Sequence, residues 1–224
     1  IRDDKKDEVS KEDQEFMILE SRFLEKPAFA VEQGRNAARH MERDSRKALD
    51  IALGLIQKYN EEQAERVEKI ESKVDRYEDE LGTYLVKLNN KDLSEKDSHS
   101  VSIMLHCIGD FERISDHAVN IMESARELHE KNLSFSVQAK AELQVLIATV
   151  GRIVDTAYEV FDKQDMNLTR DVEPLEEIVD ELSKELKRRH VNRLRSGECT
   201  IEMGFILTDP VSYTHLTLPT NSRV

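Results

Sequence analysis

With 46 acidic side chains against 33 basic ones in 224 residues, the chain carries a formal charge of −13. This argues against nucleic acid as a partner, because a polyphosphate needs clustered positive surface. Cys107 and Cys199 make neither a zinc spacing nor a disulfide framework, and two unpatterned thiols suit a reducing cytosol.

Seven Gly, four Pro, no Trp and 35% charged residues predict an all-α protein of long helices and few turns. Residues 1–27 open with the charged run IRDDKKDEVSKED and read as a linker. No apolar segment approaches the ~18 residues of a membrane span and no signal-peptide core is present, so the chain as written is expected to be soluble. Pro27 suits a helix start, since its missing N–H is harmless in a first turn, and a helix is predicted over 28–59. The next, 61–89, carries Val67, Ile70, Val74, Tyr77, Leu81, Tyr84 and Leu88 in steps of three and four, a heptad seam that stops at Asn89-Asn90. A third helix is predicted over 97–131 with Asn132 as its stop, and a fourth over 135–165 ending before Asn167. The fourth reads as core packing through Leu143, Leu146, Ile147, Val150, Ile153, Val154, Ala157, Val160 and Phe161. The fifth, 169–196, has Thr169 or Asp171 as a cap, Pro174 in its first turn and Gly197 as its stop. Its basic run KELKRRHVNRLR reads as a solvated helix end whose charge complements the dipole.

Within these helices one acidic spacing recurs. Glu112 and Asp116 stand one turn apart on one face, where they repel unless a cation or base joins them. A single pair carries little weight, since 46 acids would scatter roughly nine such pairs by chance. However, Glu112 falls one residue after the seam position Phe111, just as Glu71 and Asp75 follow Ile70 and Val74, and Glu176 and Asp180 follow Leu175 and Val179. Chance does not readily place three pairs on a common flank. The alignment of VEKIESKVD (67–75) with VEPLEEIVD (172–180) marks an internal duplication. A cation held between such helices would meet only carboxylate oxygens, a donor set for hard ions such as magnesium, calcium, manganese or ferric iron, with zinc less natural.

The run DFERISDHAVNI at 110–121, with ESKVD and EEIVD on either side, resembles the PhoU domain, a duplicated three-helix unit whose Glu-xxx-Asp motifs hold multinuclear metal clusters. Arg113, His117 and Asn120 coincide with the family pattern, and the match spans roughly 28–209. The resemblance implies ligand roles for Glu71, Asp75, Glu112, Asp116, Glu176 and Asp180, and bound iron, manganese, magnesium or zinc. His117 and Asn120 would orient ligands at most; a packed or solvated histidine is the commoner reading. The implied fold is two tandem three-helix bundles, with 28–133 as the first repeat and 134–209 as the second, incomplete one.

ESRFLEKPAFAVEQ at 20–33 resembles the juncture after the last transmembrane helix of bacterial sodium/phosphate cotransporters, leading into their PhoU-like tail. That resemblance implies a regulatory, non-catalytic domain on the cytoplasmic face of the membrane, with the sodium/phosphate transport domain in the same full-length chain as its partner and a homodimer allowed. An Ile start fits a fragment, and a trimmed soluble protein would read the same. The alternatives are a standalone PhoU-type regulator of phosphate transport and a metal-free helical linker. Enzymes of the di-iron bundle type are disfavoured because no Glu stands three residues before any of the seven His, and there is no glycine-rich phosphate loop or GxSxG turn.

The C-terminus departs from the family pattern. A fourth Glu-xxx-Asp is expected near 216–220, yet Leu216 and Thr220 stand there and Pro210 interrupts the helix. PVSYTHLTLPTNSRV, residues 210–224, resembles translated cloning sequence, so the last helix of the second bundle is expected to be truncated, leaving one intact metal site and one damaged one.

Overall fold

The computed structural model describes residues 15–163 and 172–200. Among them are five long helices, α1 Pro27–Gln57, α2 Glu61–Asn89, α3 Glu95–Glu130, α4 Val137–Lys163 and α5 Val172–Arg195, preceded by the 3-10 turns Met17–Leu19 and Ser21–Glu25. The described residues contain no strand, and the all-α helical-bundle expectation holds. Asn167, Thr169, Asp171 and everything after residue 200, including the expected truncated helix and the tail, lie outside the described residues.

The helix ends follow from local side-chain chemistry. Asn60 accepts a hydrogen bond from the Gln63 amide at 2.9 Å, and Glu61 and Glu62 complement the dipole in the first turn of α2. Ser94 caps α3 by accepting from the Asp97 amide at 3.1 Å while its hydroxyl donates to the Asp97 carboxylate at 2.8 Å. That cap starts α3 at Glu95, two residues before the predicted start. Ser136 accepts from the Ala139 amide at 3.2 Å and so starts α4. Asn132 and Gly197 do stop their helices: both adopt positive φ, 52° and 73°. Around Asn132 the Leu133 amide donates to the Leu128 carbonyl and the Asn132 amide to that of His129, with Leu128 and Leu133 in the same apolar cluster. Around Gly197 the Glu198 and Gly197 amides reach back to Arg193 and Leu194 in the same way.

The helices α1, α2 and α3 enclose the larger core. All seven predicted seam residues of α2, from Val67 to Leu88, are buried in it. Gly34 lets α1 approach closely, since a Cβ there would stand 3.1 Å from Leu85 Cδ2. Helix α4 bridges two cores. Val154 and Tyr158 join the first, while Leu143, Leu146 and Ile153 join Val179 and Leu186 of α5 in a second. Ile147, Val150, Val160 and Phe161, predicted as core, are half-buried; Phe161 packs against the first core, Ile147 against the second and Val150 against both.

The segment before α1, within the stretch read from sequence as a linker, packs on the first bundle. Phe16, Leu19 and Leu24 are buried, and Phe23 sits edge-on to Phe29. Lys73 bridges Glu15 at 2.6 Å and Asp44 at 2.9 Å, and the Arg76 guanidinium lies over the Phe16 ring.

Candidate metal centre

Burial of the α2 seam against α3 determines where the acids go. Ile70 and Val74 face the core, as do Phe111 and Ile114, so the carboxylates that follow the seam by one residue emerge along one margin of the α2–α3 contact. Oxygens of Glu71 and Asp75 on α2 and of Asp116 on α3 all lie within 4.8 Å of one another. Among the described residues no other group of three or more His, Cys, Asp or Glu gathers this tightly.

The electrostatics record the crowding. Partial burial, then Asp75, Asp116 and Glu68, raises the Glu71 carboxyl, although a hydrogen bond from Ser72 opposes this. Asp75 is raised by burial, Asp116 and Asp79. Glu112 lies outside the set of three but belongs to the same field: burial, then Asp116 beside it, then Asp75 and Glu78 on α2, push it up to about 7. His117 is held below the ordinary histidine range by burial and by Arg113, with Asp116 pulling the other way, which favours a neutral ring beside the acids.

Of the six predicted ligands, the structure thus brings together Glu71, Asp75 and Asp116, with Glu112 adjoining. Glu176 and Asp180 stand half-buried on α5, outside that cluster. The sequence reading missed Glu68, Glu78 and Asp79, which extend the acidic margin. Their signal was there to find, since Glu68, Glu71, Asp75 and Glu78 continue one helix face in steps of three and four.

This donor set fits a hard cation. Its potential ligands are all carboxylates, they come from two helices, and their raised proton affinities show negative charge held together without enough compensation. A cation there would relieve repulsion that the apo fold carries.

A family model described as the PhoU domain matches residues 38–125 and 143–211, well over half of the chain. The chain belongs to the PhoU domain family. A curated relative of this PhoU-domain chain is the phosphate-specific transport system accessory protein PhoU homolog 1 of Thermotoga maritima, 24% identical over 162 residues that cover 71% of this chain and 68% of the relative. The fold is similar to the crystal structure of PhoU from Pseudomonas aeruginosa, with a TM-score of 0.76 at 19% identity, covering 84% of this chain and 89% of that one. No described helix of this PhoU-domain chain is long and apolar enough to cross a membrane.

Proposed function

We propose that this PhoU-domain chain is a metal-binding, non-catalytic regulator of phosphate transport, acting as an accessory protein in the manner that the name of its Thermotoga relative describes. The observation that carries the reading is the carboxylate cluster of Glu71, Asp75 and Asp116 across two helices of the family fold, with Glu112 at its edge. These four residues would hold the ion, which supplies positive charge that discharges the repulsion and ties α2 to α3. The chain's own contribution is to present its acids on rigid helices, so that metal binding stiffens the first bundle for docking to a partner. Iron, manganese and magnesium suit the oxygen donors best, and zinc less so. Glu176 and Asp180 would form half of a second site that lacks its fourth motif in this sequence.

The test is metal content and melting of the purified chain. Tightly held metal and a chelator-sensitive melting temperature are expected; a metal-free protein indifferent to chelator would leave a helical linker as the reading. Phosphate uptake in cells lacking their own PhoU, complemented with this chain or with its D75N/D116N variant, tests the regulatory part.

A second reading, the cytoplasmic tail of a sodium/phosphate cotransporter, rests on the ESRFLEKPAFAVEQ resemblance. It is favoured by the packing of that segment, where Leu24 is buried and Phe23 meets Phe29 just before α1 begins at Pro27. An upstream segment joined there would couple stiffly to the bundle. The DNA preceding the Ile1 codon discriminates: an open frame encoding paired hydrophobic helices supports the tail, and a nearby start codon supports the standalone regulator.

A further inference from the structure

The seam between α1 and α4 joins the first core to the second, and polar bridges form much of it. Arg39 Nε donates to Asp162 at 2.8 Å, Ser45 and Tyr158 share a hydroxyl hydrogen bond of 2.8 Å, and Arg46 Nε pairs with Asp155 at 3.0 Å. On the apolar side Phe111 of α3 meets Tyr158 and Phe161 edge-on. Amid these contacts stands Glu42 on α1, only 4% exposed. Among the described residues no hydrogen-bond donor or cation meets its carboxyl within bonding distance. A buried carboxylate without a partner is costly, whereas the protonated acid is tolerated far better.

We propose that Glu42 is a proton-operated latch between the two bundles, holding α4 against α1 when its carboxyl is protonated and loosening that seam when it ionises.

The surroundings leave Glu42 without effective compensation. From its own helix, Arg39 is occupied by Asp162 and the exposed Arg43 offers only partial relief. From α4, Asp162 adds a like charge and Tyr158 a hydroxyl already bonded to Ser45. From α3 comes Cys107, whose thiol burial pushes up to about 12, and burial also raises Tyr158, so both stay neutral across the physiological range. Burial, with Asp162 second, lifts the Glu42 carboxyl itself to about 7, where small changes in pH alter its charge. One turn further along α1 the seam widens into an open groove of about 370 Å³ between Arg46, Asp50 and Gly54 of α1 and Gly151, Arg152 and Asp155 of α4. Water is therefore at hand, and a modest outward movement of α4 would hydrate the ionised carboxylate.

In the opened seam Glu42 returns toward its ordinary value of 4.5, so closing the seam takes up a proton. The latch is tightest below about 4.5, weakens by up to about tenfold per pH unit as pH rises toward 7, and is level above that.

Hydrogen exchange of the full chain, followed by mass spectrometry from pH 5.5 to 8 and corrected for intrinsic rates, reads this directly. Peptides of α4 should lose protection as pH rises in the wild type, those of α2 should not follow the same course, and in Glu42→Gln the α4 profile should be flat. Glu42→Met serves the same purpose should the amide disturb folding. Wild-type α4 protection that ignores pH, a loss shared equally by every helix, or a profile retained in Glu42→Gln would each overturn the proposal. A carbon-13 NMR titration of the Glu42 carboxyl needs no variant: a midpoint near 7 agrees with the latch, and one near 4.5 overturns it.

Discussion

Asp116 places a carboxylate oxygen within 4.8 Å of one on Asp75, although the two side chains belong to different helices. Two acids held this close by the packing beneath them oppose the fold that positions them unless a cation or a proton offsets the repulsion.

Removing one of them should therefore separate two effects. D116N is expected to melt slightly higher than wild type in chelator, because repulsion is relieved, and to lose the stabilisation that metal confers. That stabilisation is about 3 kcal/mol at a free metal concentration near 100 times the dissociation constant. D180N, which lies on α5 outside the cluster of Glu71, Asp75 and Asp116, should leave the metal-dependent shift of that cluster unchanged. Paired melting curves with chelator and with manganese or iron check all three statements.

Protons should compete with the metal. Glu112 holds its proton to about 7, so a metal that uses this carboxylate must displace it below that pH, and affinity should fall by up to about tenfold per pH unit there. The apo fold runs the other way. The folded state binds the extra proton between the ordinary 4.5 and about 7, so apo stability declines as pH rises through that window and levels off above it. Calorimetric titrations between pH 6 and 8 on wild type and E112Q should show a slope in the first and a flatter one in the second.

The Ser45–Tyr158 hydrogen bond links α1 to α4 at a buried point. Y158F and S45A should each cost about 1 kcal/mol, more where the surviving hydroxyl is left without a partner. Urea denaturation of the single variants and the double variant gives the coupling, which should be clearly non-additive.

At Asn132 the backbone φ of 52° suits Asn or Gly and penalises a branched side chain. N132G should stay within a few tenths of a kcal/mol of wild type, whereas N132V should lose about 1–2 kcal/mol. The same urea measurement decides it, with circular dichroism confirming that α3 persists.

What could be read from the sequence was whatever the helix itself imposes. The seam of α2, the stops at Asn132 and Gly197 and the acid pairs at a spacing of four all follow from 3.6 residues per turn and from local capping, so they are visible without knowing any neighbour. Among the described residues, helix ends differ from the expected ones by at most two residues, as where the Ser94 cap outranks periodicity at the start of α3. The common flank shared by Glu71, Asp75, Glu112 and Asp116 was likewise legible, because all are indexed to a seam.

Only the tertiary structure decided which of those acids meet. Rotation and offset of α3 against α2 bring Asp116 to Glu71 and Asp75 and leave Glu112 alongside, and no one-helix pattern contains that offset. The same holds for the single stripe of α4, which packing divides between two cores, and for Glu42, a polar letter in a helix face that becomes buried once α4 is laid across it. Periodicity is a property of one helix, whereas burial and charge proximity depend on how the helices are set against one another, and that is fixed by the long-range fit of their side chains.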